Sequence, residues 1–375
     1  MNMKRLIGWI GIACAIASTP VHAEPIRIGA VGELSGANAE TGNYQLNGIK
    51  LAIEEINKAG GVLGRPLELD VQDNQSANPG SVLAFSKLVA KHDIAAVIGP
   101  IRSTQVLAMM PSILKAGIPV MVGGTDYTLT HANNPWIFRV RPHDGYSANA
   151  IADFGVNTLK LKKWVIVHST ETFGIGGKNR LTDILKSLGV SSILSYGVRN
   201  NTQDLSLIVQ SIKQSDADIL ATYITAPENV IGFAKSLRQG GITVPWIGSP
   251  SVVTATAVQR GGSMMHDTYS ITDFFVDASP EAQAFSRKYR NRYGLEPDIY
   301  SAWTYDAVNL LALAIKNANS TAPEEIRKAI LSIQQFKGVE GIYGFDQSGD
   351  GLHGYNIVKN EQGKIIFIKR IEFQQ

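Results

Sequence analysis

From Ile26 onward, short β-branched runs alternate with amphipathic stretches, and this alternation leaves few folds open to the chain. Ile26–Val31 reads as a buried strand. Gly42–Ala59 reads as a helix with Leu46, Ile49, Ile53 and Ile56 on one face, stopped by Gly60-Gly61. Leu67–Val71, Ala95–Ile98 and Pro119–Val122 continue as strands, with helices at Pro79–Lys91 and Ser103–Lys115 between them. Strands separated by helices of this length predict βαβ units around a parallel sheet, an α/β fold.

The pattern then restarts. Trp164–His168, Ile193–Val198, Asp218–Thr222 and Pro245–Gly248 read as strands, and Gly177–Leu188, Asp204–Gln214 and Asn229–Gln239 as helices. No short period accompanies the restart, so it is a repeated architecture and not a solenoid. Phe138–Pro142 reads as one crossover between the halves and Ser270–Phe275 as another. Helices at Pro280–Tyr293, Tyr300–Asn317 and Pro323–Ser332 follow the second. Tyr355–Val358 and Lys364–Phe373 read as terminal strands joined by the turn Asn360–Gly363. A chain that passes between two lobes more than once implies a hinge.

The N-terminus has a different character. Lys4 and Arg5 precede twelve apolar or small residues, Leu6 to Ala17, and Val21-His22-Ala23 ends the segment with small residues at −3 and −1. This order predicts a secretory signal peptide over 1–23, cleaved after Ala23, and a run this short falls well below the roughly 20 residues of a membrane span. Two of the 35 Lys and Arg lie in that segment, leaving 33 against 32 Asp and Glu. That balance offers no basic face for nucleic acid. Cys14, the only cysteine, lies there too. An exported chain without cysteine must hold together by burial and fits a bacterial periplasm.

Several motifs now fall in order: Ile28-Gly29-Ala30-Val31-Gly32-Glu33-Leu34-Ser35-Gly36, Asn57-Lys58-Ala59-Gly60-Gly61-Val62-Leu63-Gly64 and Val97-Ile98-Gly99-Pro100. They continue through Ile137-Phe138-Arg139, Tyr305-Asp306-Ala307 and Gly344-Phe345-Asp346. In this order the residues resemble the type I solute-binding proteins of ABC importers, in the leucine–isoleucine–valine-binding branch, over Pro25 to Phe373. The resemblance implies two Rossmann-like lobes with parallel sheets and a three-segment hinge, the periplasmic binding protein type I fold. It implies lobe 1 over 24–141 plus 275–354 and lobe 2 over 142–274 plus 355–375. A ligand is expected in the cleft, with no catalytic step and no cofactor. The expected partners are an inner-membrane ABC permease and a small carboxylate-bearing ligand, an amino acid of the branched-chain type first, for a monomer in the periplasm.

The candidate site starts at Gly99–Thr104, where a parallel strand ends and a helix opens. Free N–H groups and the helix dipole there favour a carboxylate, to which Ser103 and Thr104 add hydroxyls. Ser103 is otherwise a plain helix cap; the resemblance aligns it with the family's carboxylate-binding serine. Gly123-Gly124-Thr125 follows the next strand and lets backbone approach a ligand closely, or makes a tight turn. The resemblance implies that Gly124 and Thr125 contact an amino acid. It also implies Phe173 as an aromatic wall and Thr225 in the place of a ligand-facing tyrosine. Arg102 is ordinarily a solvated rim residue; facing the cleft, its guanidinium suits a carboxylate.

One departure stands out. The amino-acid binders carry a glutamate after the strand ending Trp246-Ile247-Gly248, and here the stretch is Ser249-Pro250-Ser251. A buried ammonium without an acid is costly. Either Asp126, Glu171 or Asp273 replaces it, or the ligand is an aromatic or aliphatic carboxylate without an amino group. A sensor ectodomain would close in the same way. Phe173–Lys178 lacks phosphate-loop spacing, Asp346–Gly351 reads as a hairpin turn because Ile357 stands where a calcium loop needs an acid, and the seven histidines show no metal spacing. No metal site is expected, and no Gly-x-Ser-x-Gly elbow marks a hydrolase.

Overall fold

A computed structural model describes residues 24–200, 202 and 204–373. The proposed leader and its cleavage site lie outside the described residues. Fourteen strands are present among the described residues. The first five are β1 Ile26–Gly32, β2 Leu67–Asp73, β3 Ile94–Ile98, β4 Val120–Val122 and β5 Ile137–Arg139. Next come β6 Lys163–Ser169, β7 Ser192–Val198, β8 Ile219–Tyr223, β9 Trp246–Gly248 and β10 Thr268–Thr272. The last are β11 Phe336–Lys337, β12 Ile342–Tyr343, β13 Gly354–Glu361 and β14 Lys364–Glu372. The α-helices are α1 Ala39–Lys58, α2 Asn78–Val89, α3 Ser103–Ala116, α4 Thr128–His131, α5 Asp144–Asp153 and α6 Thr172–Ser187. They continue as α7 Ser206–Gln214, α8 Pro227–Gln239, α9 Ala255–Gly261, α10 Pro280–Tyr293, α11 Ile299–Ala318 and α12 Pro323–Leu331.

The first sheet runs β2-β1-β3-β4-β5, all parallel. The second runs β14-β13-β10-β9-β8-β6-β7; its parallel part, β7-β6-β8-β9-β10, repeats the order of the first, and β13 and β14 add antiparallel edges. Both faces of each sheet are covered, which is why the strands read as continuous apolar runs. Side chains alternate across the sheet: Trp164 and Ile166 of β6 enter one core of the second lobe, Val165 and Val167 the other. Ile28 and Ala30 of β1 likewise enter the core built with α11, whereas Val31 faces the core built on α2 and α3.

The chain leaves the first sheet after β5 and returns to that lobe after β10. There α10, α11 and α12 pack with α1, before the chain rejoins the second sheet at β13. The sequence pattern predicts the first crossover at Phe138–Pro142 and the second at Ser270–Phe275. In the structure β5 takes Ile137–Arg139 and β10 takes Thr268–Thr272, so each crossing begins only after its strand has paired. Three helices were not legible, the first of them α4, which has only four residues. α5 is buried almost all round, including Ser147, Ala148, Ala150, Ile151 and Ala152, so it shows no amphipathic period; α9 is only seven residues long.

Buried ion pairs join distant segments. Arg139 Nε donates to Asp350 Oδ1 at 2.6 Å, with both side chains almost fully buried. The hairpin expected at Asp346–Gly351 delivers Asp350 there, because Asp346 Oδ1 accepts from the N–H groups of Ser348 and Asp350 at 2.9 Å. Arg141, in the first crossover, donates through Nε and Nη2 to the two carboxylate oxygens of Asp273, in the second.

Candidate functional site

In doubly wound sheets of this order, a crevice opens beyond the carboxyl ends of the strands, where the winding reverses. Here the reversal lies between β1 and β3 in one lobe and between β6 and β8 in the other, and the two crevices face each other. The space between them has about 560 Å³ of atom-free volume, its mouth included. Of the seven residues singled out in the sequence, it brings Arg102, Ser103, Thr104, Thr125, Phe173 and Thr225 to one wall or another. Gly124 lies behind that wall, where a Cβ would come within 2.7 Å of Leu129 Cδ1 and 3.3 Å of Ser103 Cα; its smallness serves packing.

Gly99 makes the first turn possible. It has φ +98°, and a Cβ would stand 2.2 Å from the carbonyl oxygen of Val31. The chain can therefore leave β3 and start α3 at Ser103, aiming the helix's free N–H groups at the cavity. Ser103 is buried, and its Oγ accepts the Asp126 N–H at 3.2 Å, which leaves the hydroxyl proton for another acceptor. Thr125, on the loop after β4, holds the start of α5 through its carbonyl, which accepts from Asp144 N at 2.7 Å.

Arg102 is not a rim residue, contrary to the ordinary reading of an arginine. It is 8% exposed, and Nε donates to Glu33 Oε1 at 3.0 Å and Oε2 at 3.2 Å. Glu33 is fully buried and also accepts from Gln105 Nε2 at 2.9 Å and Asn38 Nδ2 at 3.1 Å. This compensation is what lets the guanidinium stay inside. Its Nη2 is buried with no partner among the described residues.

Three acids were candidates to replace the missing glutamate, and the structure separates them. Asp273 is committed to Arg141. Asp126 accepts from Thr128 N at 2.9 Å and faces the mouth of the cleft. Glu171, at the start of α6, lines the cavity, and its Oε1 is buried without a partner. A fourth acid, missed in the sequence, joins it. Asp144 is 1% exposed and lines the same cavity, and its Oδ2 is also unpartnered. Burial pushes its carboxyl up to about 7, Asp126 adds to the rise, and a hydrogen bond with Thr125 opposes it. Only the helix start after Pro142-His143 could have marked Asp144 beforehand, since His143 Nδ1 caps α5 by accepting from the N–H groups of Gly145 and Tyr146.

Apolar walls complete the cavity. Phe173 sits edge-on to Tyr223 at 5.7 Å; Ile101, Ile299 and Tyr300 face it from the first lobe, and Tyr355 and Pro250 from the second lobe. Thr225 N donates to Ser169 Oγ at 3.1 Å, and its own Oγ1 is buried and unpartnered. Ser251 is not free in this way, since its hydroxyl donates to the carbonyl of Ile224.

The lobes touch on both flanks of the cleft. On one, Thr256 Oγ1 donates to Glu40 Oε1 at 2.7 Å and Arg260 Nη1 to Glu40 Oε2 at 3.0 Å. On the other, the Arg180 guanidinium lies 4.4 Å from the centre of the Tyr127 ring, and a Cβ on Gly176 would be 2.5 Å from Asp126 Oδ2. Among the described residues no cluster of three or more His, Cys, Asp or Glu could hold a metal, and no helix is long and apolar enough to cross a membrane.

Comparison with known proteins adds an independent line. A family model described as periplasmic binding protein matches residues 25–364. An amino acid binding protein of Pseudomonas aeruginosa is 27% identical over 326 residues, 86% of either chain. The Leu/Ile/Val-binding protein homolog 1 of Brucella melitensis is 25% identical over 362 residues, 96% of this chain and 97% of its own. Among solved structures, the branched-chain amino acid transporter substrate-binding protein of Streptococcus pneumoniae, in complex with isoleucine, has a TM-score of 0.85 at 25% identity, over 93% of this chain and 99% of its own.

Proposed function

Because the chain belongs to the periplasmic binding protein family, we propose that it captures an α-amino acid between its lobes and delivers it to an ABC importer. One observation carries this reading above the rest: groups suited to the two charges of a zwitterion face each other across one cavity. The start of α3, with Ser103 and Thr125, receives the carboxylate; Glu171 and Asp144 receive the ammonium in the place that Pro250 leaves without an acid. Relatives named for amino acids, among them leucine, isoleucine and valine, support the same ligand class.

A carboxylate without an amino group suits this cavity less well. It would leave Glu171, and Asp144 when ionised, facing an anion, while the two cations that line the cavity, Arg102 and Arg141, are already paired with Glu33 and Asp273. The mechanism is closure of the lobes, residues 24–141 with 275–354 against 142–274 with 355–375. Ligand contacts on both sides favour the closed form over the open one. No step in it makes or breaks a covalent bond. The mature protein begins at Glu24 and acts as a periplasmic monomer, with the permease as its membrane partner.

Native mass spectrometry of protein purified without added ligand, followed by calorimetric titration of the mass found, tests the assignment. An amino acid is the expected mass. A copurified acid lacking nitrogen, with no heat from any amino acid, would overturn it.

A further inference from the structure

The cavity has two chemically distinct ends. Ser103, Thr125, Asp144 and Glu171 gather on the side of β4 and β6, where α3 of one lobe meets the start of α6 of the other. Arg102 is drawn the opposite way. Glu33, in the loop after β1, holds its guanidinium on the β1 side, and Tyr300 and Ile299 at the start of α11 also line the cavity. A zwitterionic head bound at the first end directs its side chain toward the second. There the side chain meets apolar walls and one buried donor, Arg102 Nη2, that no group among the described residues satisfies.

Leucine, isoleucine and valine carry no acceptor for that donor, and a site that leaves a buried charged donor unpaired discriminates against such ligands. A side-chain carboxylate would supply an acceptor. It would also add an anion to a guanidinium that already shares its charge with buried Glu33, in a cavity that holds two further acids. A neutral acceptor avoids that cost. Thr225 Oγ1, the remaining orphan on the cavity wall, can accept from an amide NH2.

We propose that Arg102 is a specificity residue and that the preferred ligand is an α-amino acid whose side chain ends in a carboxamide. This rests on the amino-acid reading above and narrows it. The test is calorimetric titration of the mature wild-type chain with asparagine, glutamine, aspartate, glutamate and leucine. The same panel is run on a variant in which Arg102→Met and Glu33→Gln remove the ion pair as a unit, with circular dichroism confirming that the variant is folded. Asparagine or glutamine should bind at least tenfold more tightly than leucine to the wild type, and the variant should lose that preference while still binding leucine. If the variant does not fold, Arg102→Lys, which keeps the charge but loses the planar fork, should narrow the same ratio at least threefold.

Leucine equal to or tighter than both amides, a preference for glutamate or aspartate, or a preference that survives the substitutions would each overturn the proposal while leaving an amino-acid site in place. Binding of none of the five would overturn the amino-acid reading itself, and this inference with it.

Discussion

Changing Glu171 to Gln separates recognition of the ammonium from support of the fold. The substitution keeps the side chain's shape and removes its charge. In the free protein that charge helps hold the buried Arg102 guanidinium protonated, but Oε1 is buried and unpartnered, and the side chain makes no capping bond to α6. Relief of carboxylate desolvation and loss of a negative charge at a helix start act in opposite directions, the second by about 0.3–1 kcal/mol. The melting temperature of the free protein should therefore move by no more than about 3 °C. Binding should respond far more. A hydrogen bond to a charged group contributes about 1.5–3 kcal/mol, which is roughly a 10- to 150-fold rise in Kd. Calorimetry at pH 8 measures it, with the ligand's deaminated analogue as control. The wild type should prefer the amino acid over that analogue strongly, and Glu171→Gln should erode the preference by the same factor. A Kd within threefold of wild type, with the preference intact, would show that Glu171 does not meet the ammonium.

Other outcomes follow from the same cavity. Burial raises Asp144 to about 7, so the form that pairs with an ammonium is filled as pH rises. Affinity should climb between pH 6 and pH 8, and Asp144→Asn should flatten that climb in calorimetry. The stability of the free protein should run the other way. Asp144, Asp298 and Asp306 are all pushed to about 7 by burial, so each contributes stability that is fully present below the unfolded carboxyl value near 3.8 and lost as pH rises through about 7; melting temperatures should be higher at pH 5.5 than at pH 8.5. Ser103→Ala should weaken binding by about 1–2 kcal/mol with an unchanged circular dichroism melt; unaltered affinity would remove the hydroxyl from the site. Arg260→Ala breaks an exposed contact across the cleft, so it should raise the dissociation rate by threefold or less. Small-angle scattering of the same variant should still show a smaller radius of gyration on adding ligand.

Alternating β-branched runs and amphipathic stretches were enough to read both sheets except β5 and β10, which read as crossovers, because strands covered on both faces must be apolar throughout. The cleft's first-lobe wall was legible too, since Gly99–Thr104 marks a strand end and a helix start in one short segment. What escaped is instructive. α5 hides because it is buried on nearly every side, and Asp144 hides with it. Arg102 pointed to solvent on its chemistry alone; Glu33, 69 positions earlier, is what keeps it inside. For an ammonium the sequence offers three acids, without Asp144 and with no way to choose among them, because whether a carboxylate is already taken, as Asp273 is by Arg141, depends on contacts between segments 132 residues apart.

Those long-range ion pairs have a consequence for biogenesis. Arg102–Glu33, Arg141–Asp273 and Arg139–Asp350 tie together segments 69, 132 and 211 residues apart, spans that many exported proteins close with disulfides. An ionic tie vanishes with the fold and re-forms with it, without an oxidant and without the risk of mispaired thiols. The fold can thus form from the sequence alone, independent of the redox state of the compartment in which the chain matures.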